Sequence, residues 1–334
     1  MKLDWKKALI AAGAMFALGA ALCVTALARV DFDFWRLSTD YDESVAMETA
    51  QYDPAELTEI VVDLSVDDLR VEPSEDGLVH IRYAQRERRP YTLEQRGGTL
   101  YVTQRQKGWP WFTFDLGWNH RETTAVLSLP ETFRGDLRLN SNIGVIRAEG
   151  LRLTGRLDCD VDTGSVDLRD VESASASVSV GTGSLRGDGW RIGGDLLVES
   201  SIGDLHGTGW QVQGSLTVES NTGAVHLEDC AAEGAVQCSG DTGLLRLTRV
   251  TAGSVTLESS IGDVILEALS APQIVITSDT GAVRGTIDGS EQDYTIDTET
   301  DIGDCNLRTR AGLTDRTLRV ETDTGDISLR FTRE

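Results

Sequence analysis

No lysine follows Lys107, and no stretch between Asn142 and Gly325 keeps the i, i+3, i+4, i+7 spacing of an amphipathic helix. The first absence leaves 16 arginines against 33 Asp and Glu from residue 135 onward, within a formal net charge of −23. A surface of that sign repels nucleic acid and anionic lipid, so a nucleic-acid partner is not expected. The second absence removes helical repeats. No Cys-x-x-Cys pair occurs, and the four histidines, His80, His120, His206 and His226, are dispersed, which removes a zinc site. The calcium-binding Gly-Gly-x-Gly-x-Asp coil is missing too. The carboxylates directly after a repeat glycine (Asp204, Asp263, Asp304 and Asp326) are too scattered to supply the six or more oxygens calcium takes. Cys159, Cys230, Cys238 and Cys305 read as small buried hydrophobes, with a Cys230 to Cys238 bridge left open. The sequence therefore predicts no catalytic residue, no cofactor and no metal.

What is present is a period. Gly144, Gly164, Gly183, Gly203, Gly223, Gly243, Gly262, Gly281, Gly303 and Gly325 each follow Ile or Thr, separated by 20, 19, 20, 20, 20, 19, 19, 22 and 22 residues. Repeats of this length cannot bury a core singly and must stack. Positions seven and five before each glycine are apolar (Leu196 and Val198, Leu216 and Val218), as are those two and four after it (Val225 and Leu227, Val264 and Leu266). A third apolar column runs through Leu151, Val171, Trp190, Trp210, Cys230, Val250 and Leu269. Three short alternating segments per coil predict an all-β, three-sided parallel β-solenoid. The glycine is expected at the bend between the first two strands with positive φ, and the polar residue two before it is expected to hydrogen-bond the turn. Asp-Thr-Gly, at Asp162, Asp241, Asp279 and Asp323, also resembles an aspartic-protease signature. Here that Asp alternates with Ser and Asn along a single column, so it reads as a structural turn.

Residues 59–134 read as an N-terminal β cap and 135–334 as the solenoid. Ile60, Val62, Leu69 and Val71 copy the coil spacing, with Asp67 at the glycine position. Further strands are expected at 78–83, 91–95, 99–104 and 124–129. The charged finish Arg330-Phe-Thr-Arg-Glu334 would discourage end-to-end pairing. Between these strands lies Trp109-Pro-Trp-Phe-Thr-Phe-Asp-Leu-Gly-Trp118. Trp109, Trp111, Phe112, Phe114 and Trp118 are candidate ligand contacts able to stack on sugars or sit at a membrane interface; the plainer alternative is that they plug the end of the core. Arg82, Arg86, Arg88 and Arg89 form the densest positive patch outside the membrane segment, either a second candidate contact or partners for nearby acids.

Residues 8–28 carry no charge for 21 residues, about 31 Å as a helix, enough to span a bilayer. Lys2, Lys6 and Lys7 precede the run and Asp31 and Asp33 follow it, so 1–7 is placed in the cytoplasm, 8–28 across the membrane and 29–58 in an acidic juxtamembrane linker. A cleaved signal peptide ending at Ala26-Leu-Ala28 is the competing reading.

The anchor, the Leu129-Pro130 cap and the Ser/Asp-x-Gly-x-Val/Leu coils together resemble the bacterial putative-adhesin family of β-strand-repeat proteins, over roughly residues 45 to 334. The resemblance implies a single-pass cell-membrane protein whose extracytoplasmic solenoid binds or scaffolds without catalysis, with cell-wall polymer, glycan or an envelope protein as partner. A carbohydrate-active enzyme on a β-helix is the alternative, favoured by convergent carboxylates in a groove.

Overall fold

The computed structural model describes residues 46–86, 89–106 and 124–333, together with the helical positions Met15, Phe16, Gly19 and Thr25. The rest of the candidate span 8–28 lies outside the described residues, among which no helix is long and apolar enough to cross a membrane. The described chain is a parallel β-solenoid of about nine turns.

Stacking is organised at the cassette glycines. Gly223 has φ +142°, and a Cβ there would fall on the Gly203 carbonyl, 2.6 Å from its carbon. From Gly183 to Gly281 the corner N–H donates to the next coil, as from Gly203 to the Thr222 carbonyl at 2.8 Å and from Gly223 to that of Thr242 at 2.9 Å. The side-chain bonds at these corners differ from expectation. Residues two before the glycine, such as Asp162 and Asn221, stand exposed. The turn backbone is bonded instead from one position after it, where Asp204 accepts from the Ala224 N–H and Asp263 from the Ala282 N–H, both at 2.9 Å. From inside, Ser259 Oγ donates to the Gly262 carbonyl at 3.1 Å. The alternation of the strand turns the inner position toward the core, which the spacing alone did not reveal.

The three apolar columns meet in one core. Trp190 and Trp210 stack with centroids 4.7 Å apart, and their indole N–H groups donate to the Leu168 and Gly187 carbonyls at 2.9 Å. Room comes from the facing column: a Cβ on Gly207 would lie 2.6 Å from Trp210 Cζ2. One coil on, Leu227 faces Cys230, so bulk moves between columns while the core stays filled. Cys159, Cys230 and Cys238 are buried free thiols, whereas Cys305 is only half-buried. Burial pushes the Cys238 thiol up to about 12.

Both ends of the rod break the sequence order of coils. Strand Gln273–Thr280 pairs with Arg316–Thr324, and that strand pairs in turn with Tyr294–Ile302, all parallel. The Gly325 coil therefore lies between those of Gly281 and Gly303. Strand Arg316–Thr324 is thus an interior rung with Tyr294–Ile302, carrying Asp297, Glu299 and Asp301, as the outer edge, while the charged finish, described as far as Arg333, lies in strand Ile327–Arg333, which pairs with Val283–Ser290 on one side. Those edge charges serve the same purpose against end-to-end pairing.

At the other end, β1 (Ala46–Tyr52), β2 (Glu59–Leu64), β3 (Asp68–Pro73), β4 (Val79–Gln85), β5 (Tyr91–Arg96), β6 (Thr99–Gln104), β7 (Thr124–Leu129) and β8 (Asp136–Glu149) follow in sequence. β2 lies between β6 and β8, and β3 between β7 and β8. β4 then adds antiparallel to β7 and β5 to β6, while β1 adds antiparallel to β4. The expected linker 29–58 is thus partly folded: β1 supplies main-chain bonds to an otherwise open edge, a role that needs no apolar period.

Candidate binding surface at the N-terminal end

β6 and β7 are a copy of β2 and β3 laid one rung further out, with Leu100 beside Ile60 and Ala125 beside Leu69. Where β2 reaches β3 through the short turn Ser65-Val66-Asp67, β6 reaches β7 through residues 105–123. In sequence the aromatic segment falls between these two strands, at the place where β2 and β3 have a three-residue turn. Trp109, Trp111, Phe112, Phe114 and Trp118 themselves lie outside the described residues, as does Arg88.

The root of that segment is well built. Gln104 is fully buried, its Oε1 accepting from the Ser65 and Val66 N–H groups at 3.1 and 3.0 Å and its carbonyl accepting from Ser65 Oγ at 2.9 Å. Asp67, 3% exposed at the glycine position, accepts the Tyr91 hydroxyl at 2.7 Å and lies 3.9 Å from Arg89 Nη1. Burial, and after it the Asp67 carboxylate, push the Tyr91 hydroxyl well above its ordinary range, so it stays protonated and donates. Tyr91 packs on Tyr83 at 4.8 Å, and Tyr83 donates to Glu48 at 2.8 Å. Burial and then Glu48 raise Tyr83 to about 12.

The arginine patch does not form one surface. Arg82 is exposed on β4, Arg86 is buried, and Arg89 turns toward Asp67. The alternation of β4 breaks at Tyr83 and Ala84, both buried, and Arg86 and Arg89 lie beyond its end at Gln85, which separates them from Arg82. The reverse happens with the histidines. His206 and His226, 20 residues apart, occupy one register position and stack at 4.9 Å with an interplanar angle of 10°. Burial, then His206 and Arg246, lower the His226 pKa. They belong to a column three residues after the glycine that also holds Arg186 and Arg246, each with an acidic neighbour: Asp188 at 3.1 Å and Glu267 at 2.9 Å. Counting from the glycines would have exposed this column in the sequence.

On the first face, the column four before the glycine is acidic, with Asp160, Glu199, Glu219 and Glu258 among its members. Burial, then Asp162 and Asp158, raise the Asp160 pKa. These carboxylates stand in straight rows on a flat face and do not converge on a point. A depression of about 670 Å³ on the second face is lined by Arg70, Glu72, Arg147, Glu149, Asp167 and Arg169. Its charges are partly spent on one another, as in Arg169 with Asp167 at 2.9 Å. Among the described residues no cluster of three or more His, Cys, Asp or Glu is arranged to hold a metal ion.

Among solved structures, the chain resembles a putative adhesin from Bacteroides fragilis at 14% identity, covering 86% of this chain and 98% of that one with a TM-score of 0.35. It also resembles a putative adhesin from Parabacteroides distasonis at 12% identity, covering 85% and 97% with a TM-score of 0.39. A putative lipid binding protein from Parabacteroides distasonis aligns at 12% identity over 85% and 96%, with a TM-score of 0.30. No curated protein matches the chain. The Toastrack DUF4097 family model matches residues 57–238 and again 193–334. Together these two matches span the cap and every coil of the rod, and the chain belongs to the Toastrack DUF4097 family.

Proposed function

We propose that this protein is a membrane-tethered, extracytoplasmic rod that binds or scaffolds at the cell envelope without catalysing a reaction. Its contact surface is the N-terminal end. The reading is carried by the sequence that joins β6 to β7: where β2 and β3 are linked by three residues, 105–123 hold three tryptophans and two phenylalanines, and their described flanks, Gln104 and Thr124, lie in the cap. The buried Gln104, Asp67 and Tyr91 give that segment a fixed root. Residues 8–28 serve as the single anchor, with the N-terminus in the cytoplasm, and cell-wall polymer or glycan is the class of ligand that aromatic faces suit. Charges set in parallel rows on flat faces suit a scaffold better than they suit an enzyme, whose acid and base must converge on one bond.

Changing Trp109, Trp111 and Trp118 together to alanine in the full chain, purified in detergent, tests this. Retention on isolated cell-wall material should be lost while the melting temperature barely moves. Indoles that fill the end of the core would instead cost about 3 to 5 kcal/mol each on truncation. A large fall in melting temperature, or retention equal to wild type, would reject the contact surface.

A further inference from the structure

The position just before each cassette glycine holds Ile or Thr in every coil and points outward. In space, though not in sequence, its isoleucines fall on the first, fourth, seventh and tenth corners: Ile143, Ile202, Ile261 and Ile302, from 55 to 68% exposed. Two threonines, in register with them, separate each pair. Along the chain Ile302 comes before Thr324. The three-coil interval survives only because the Gly325 coil is laid inside the Gly303 coil. Successive isoleucines stand about 14 Å apart, three strand spacings, on an uncharged ridge about 43 Å long. The order of the ridge reads the same from either end.

The flanks of the ridge are not symmetric. Counting the positions two before and one after the glycine, two aspartates, Asp162 and Asp204, flank the first five corners. Seven, from Asp241 to Asp326, flank the last five.

We infer that two copies of this chain associate ridge to ridge and antiparallel, about a two-fold axis between the corners of Gly223 and Gly243. That axis sets Ile202 against Ile261 of the second copy and Ile143 against its Ile302. It also lays the sparsely acidic half of each ridge beside the strongly acidic half of the other. A parallel pair would match the isoleucines equally well, but it would place seven carboxylates beside seven, which like-charge repulsion disfavours. A strip this long and about 10 Å wide buries roughly 400 Å² per copy, about half of a standard interface, so the association is weak and depends on local concentration. With the anchor at 8–28, antiparallel copies carry their anchors at opposite ends and join two facing membranes. The ridge is a different surface from the N-terminal end, so the pairing does not rest on what that end binds.

Disulfide trapping of the full chain in detergent tests it, with Cys23 and Cys305 changed to Ser. Thr163 and Thr324 are exposed residues of the second and ninth corners, which the proposed axis sets opposite each other. Thr163→Cys mixed with Thr324→Cys should give a cross-linked dimer under mild oxidation, while neither variant should cross-link alone, because each stands about 34 Å along the ridge from its own counterpart. Adding Ile202→Asp and Ile261→Asp should abolish the dimer with no loss of thermal stability. Self-cross-linking of Thr163→Cys would establish a parallel pair and overturn the inference. Absence of any dimer would overturn it as well, by leaving the ridge without a partner.

Discussion

Replacing Gly223 with valine is expected to cost on the order of 4 kcal/mol or more and to lower the melting temperature sharply, for two reasons that act together. The backbone there has φ +142°, where a β-branched side chain is strained. The new Cβ would also strike the Gly203 carbonyl, which cannot retreat because the Gly203 and Gly223 N–H groups are both committed to the next coil. Relaxing one rung would displace those stacked on it. Thermal unfolding followed by circular dichroism decides the matter, and a melting temperature equal to wild type would contradict the corner assignment.

Trp210→Ala is the second large effect, expected at about 3 to 5 kcal/mol from lost burial and the cavity left behind. Trp210 is fully buried, lies flat on Trp190 and donates to the Gly187 carbonyl. Losing that donor strands a buried acceptor, at about 1 kcal/mol more. The arrangement of bulk also predicts a partial repair. Trp210→Cys combined with Gly207→Leu copies the next coil, where Leu227 faces Cys230, and should recover part of the loss that Trp210→Cys shows alone. Urea unfolding of both variants measures this; no difference between them would contradict the account of shared volume.

The period made the middle of the rod legible. Spacing alone places Leu196, Val198, Val225 and Trp210 inward, and each is buried. Strands at 79–85, 91–96, 99–104 and 124–129 fall close to their expected places. The ends were not legible. Segments 294–302 and 316–324 carry the same alternation, so either could pair with 273–280, and backbone geometry chooses. β1 is not legible in the sequence because Met47, exposed, and Ala50 give it no apolar stripe. At the candidate site, adjacency in sequence misled in both directions: Arg82 and Arg86 separate, whereas His206 and His226 meet. In a solenoid the neighbours that matter are one coil away, and offsets from the cassette glycine find them better than distance along the chain.

The order of stacking underlies both the closure of the rod and the spacing of its isoleucine ridge, and amide hydrogen exchange reads it directly. Strand Arg316–Thr324 is paired on both sides, although it lies within 20 residues of the C-terminus. Strand Tyr294–Ile302 pairs on one side only, apart from an exchange of bonds between Ile296 and Arg310 at 2.9 Å. The account predicts that the amides of Leu318, Val320 and Thr322 are protected like those of the central coils, while half of those from Thr298 to Ile302 exchange quickly. Fast exchange throughout 316–333, with 294–302 protected, would place the last coil of the chain at the end of the rod and contradict it.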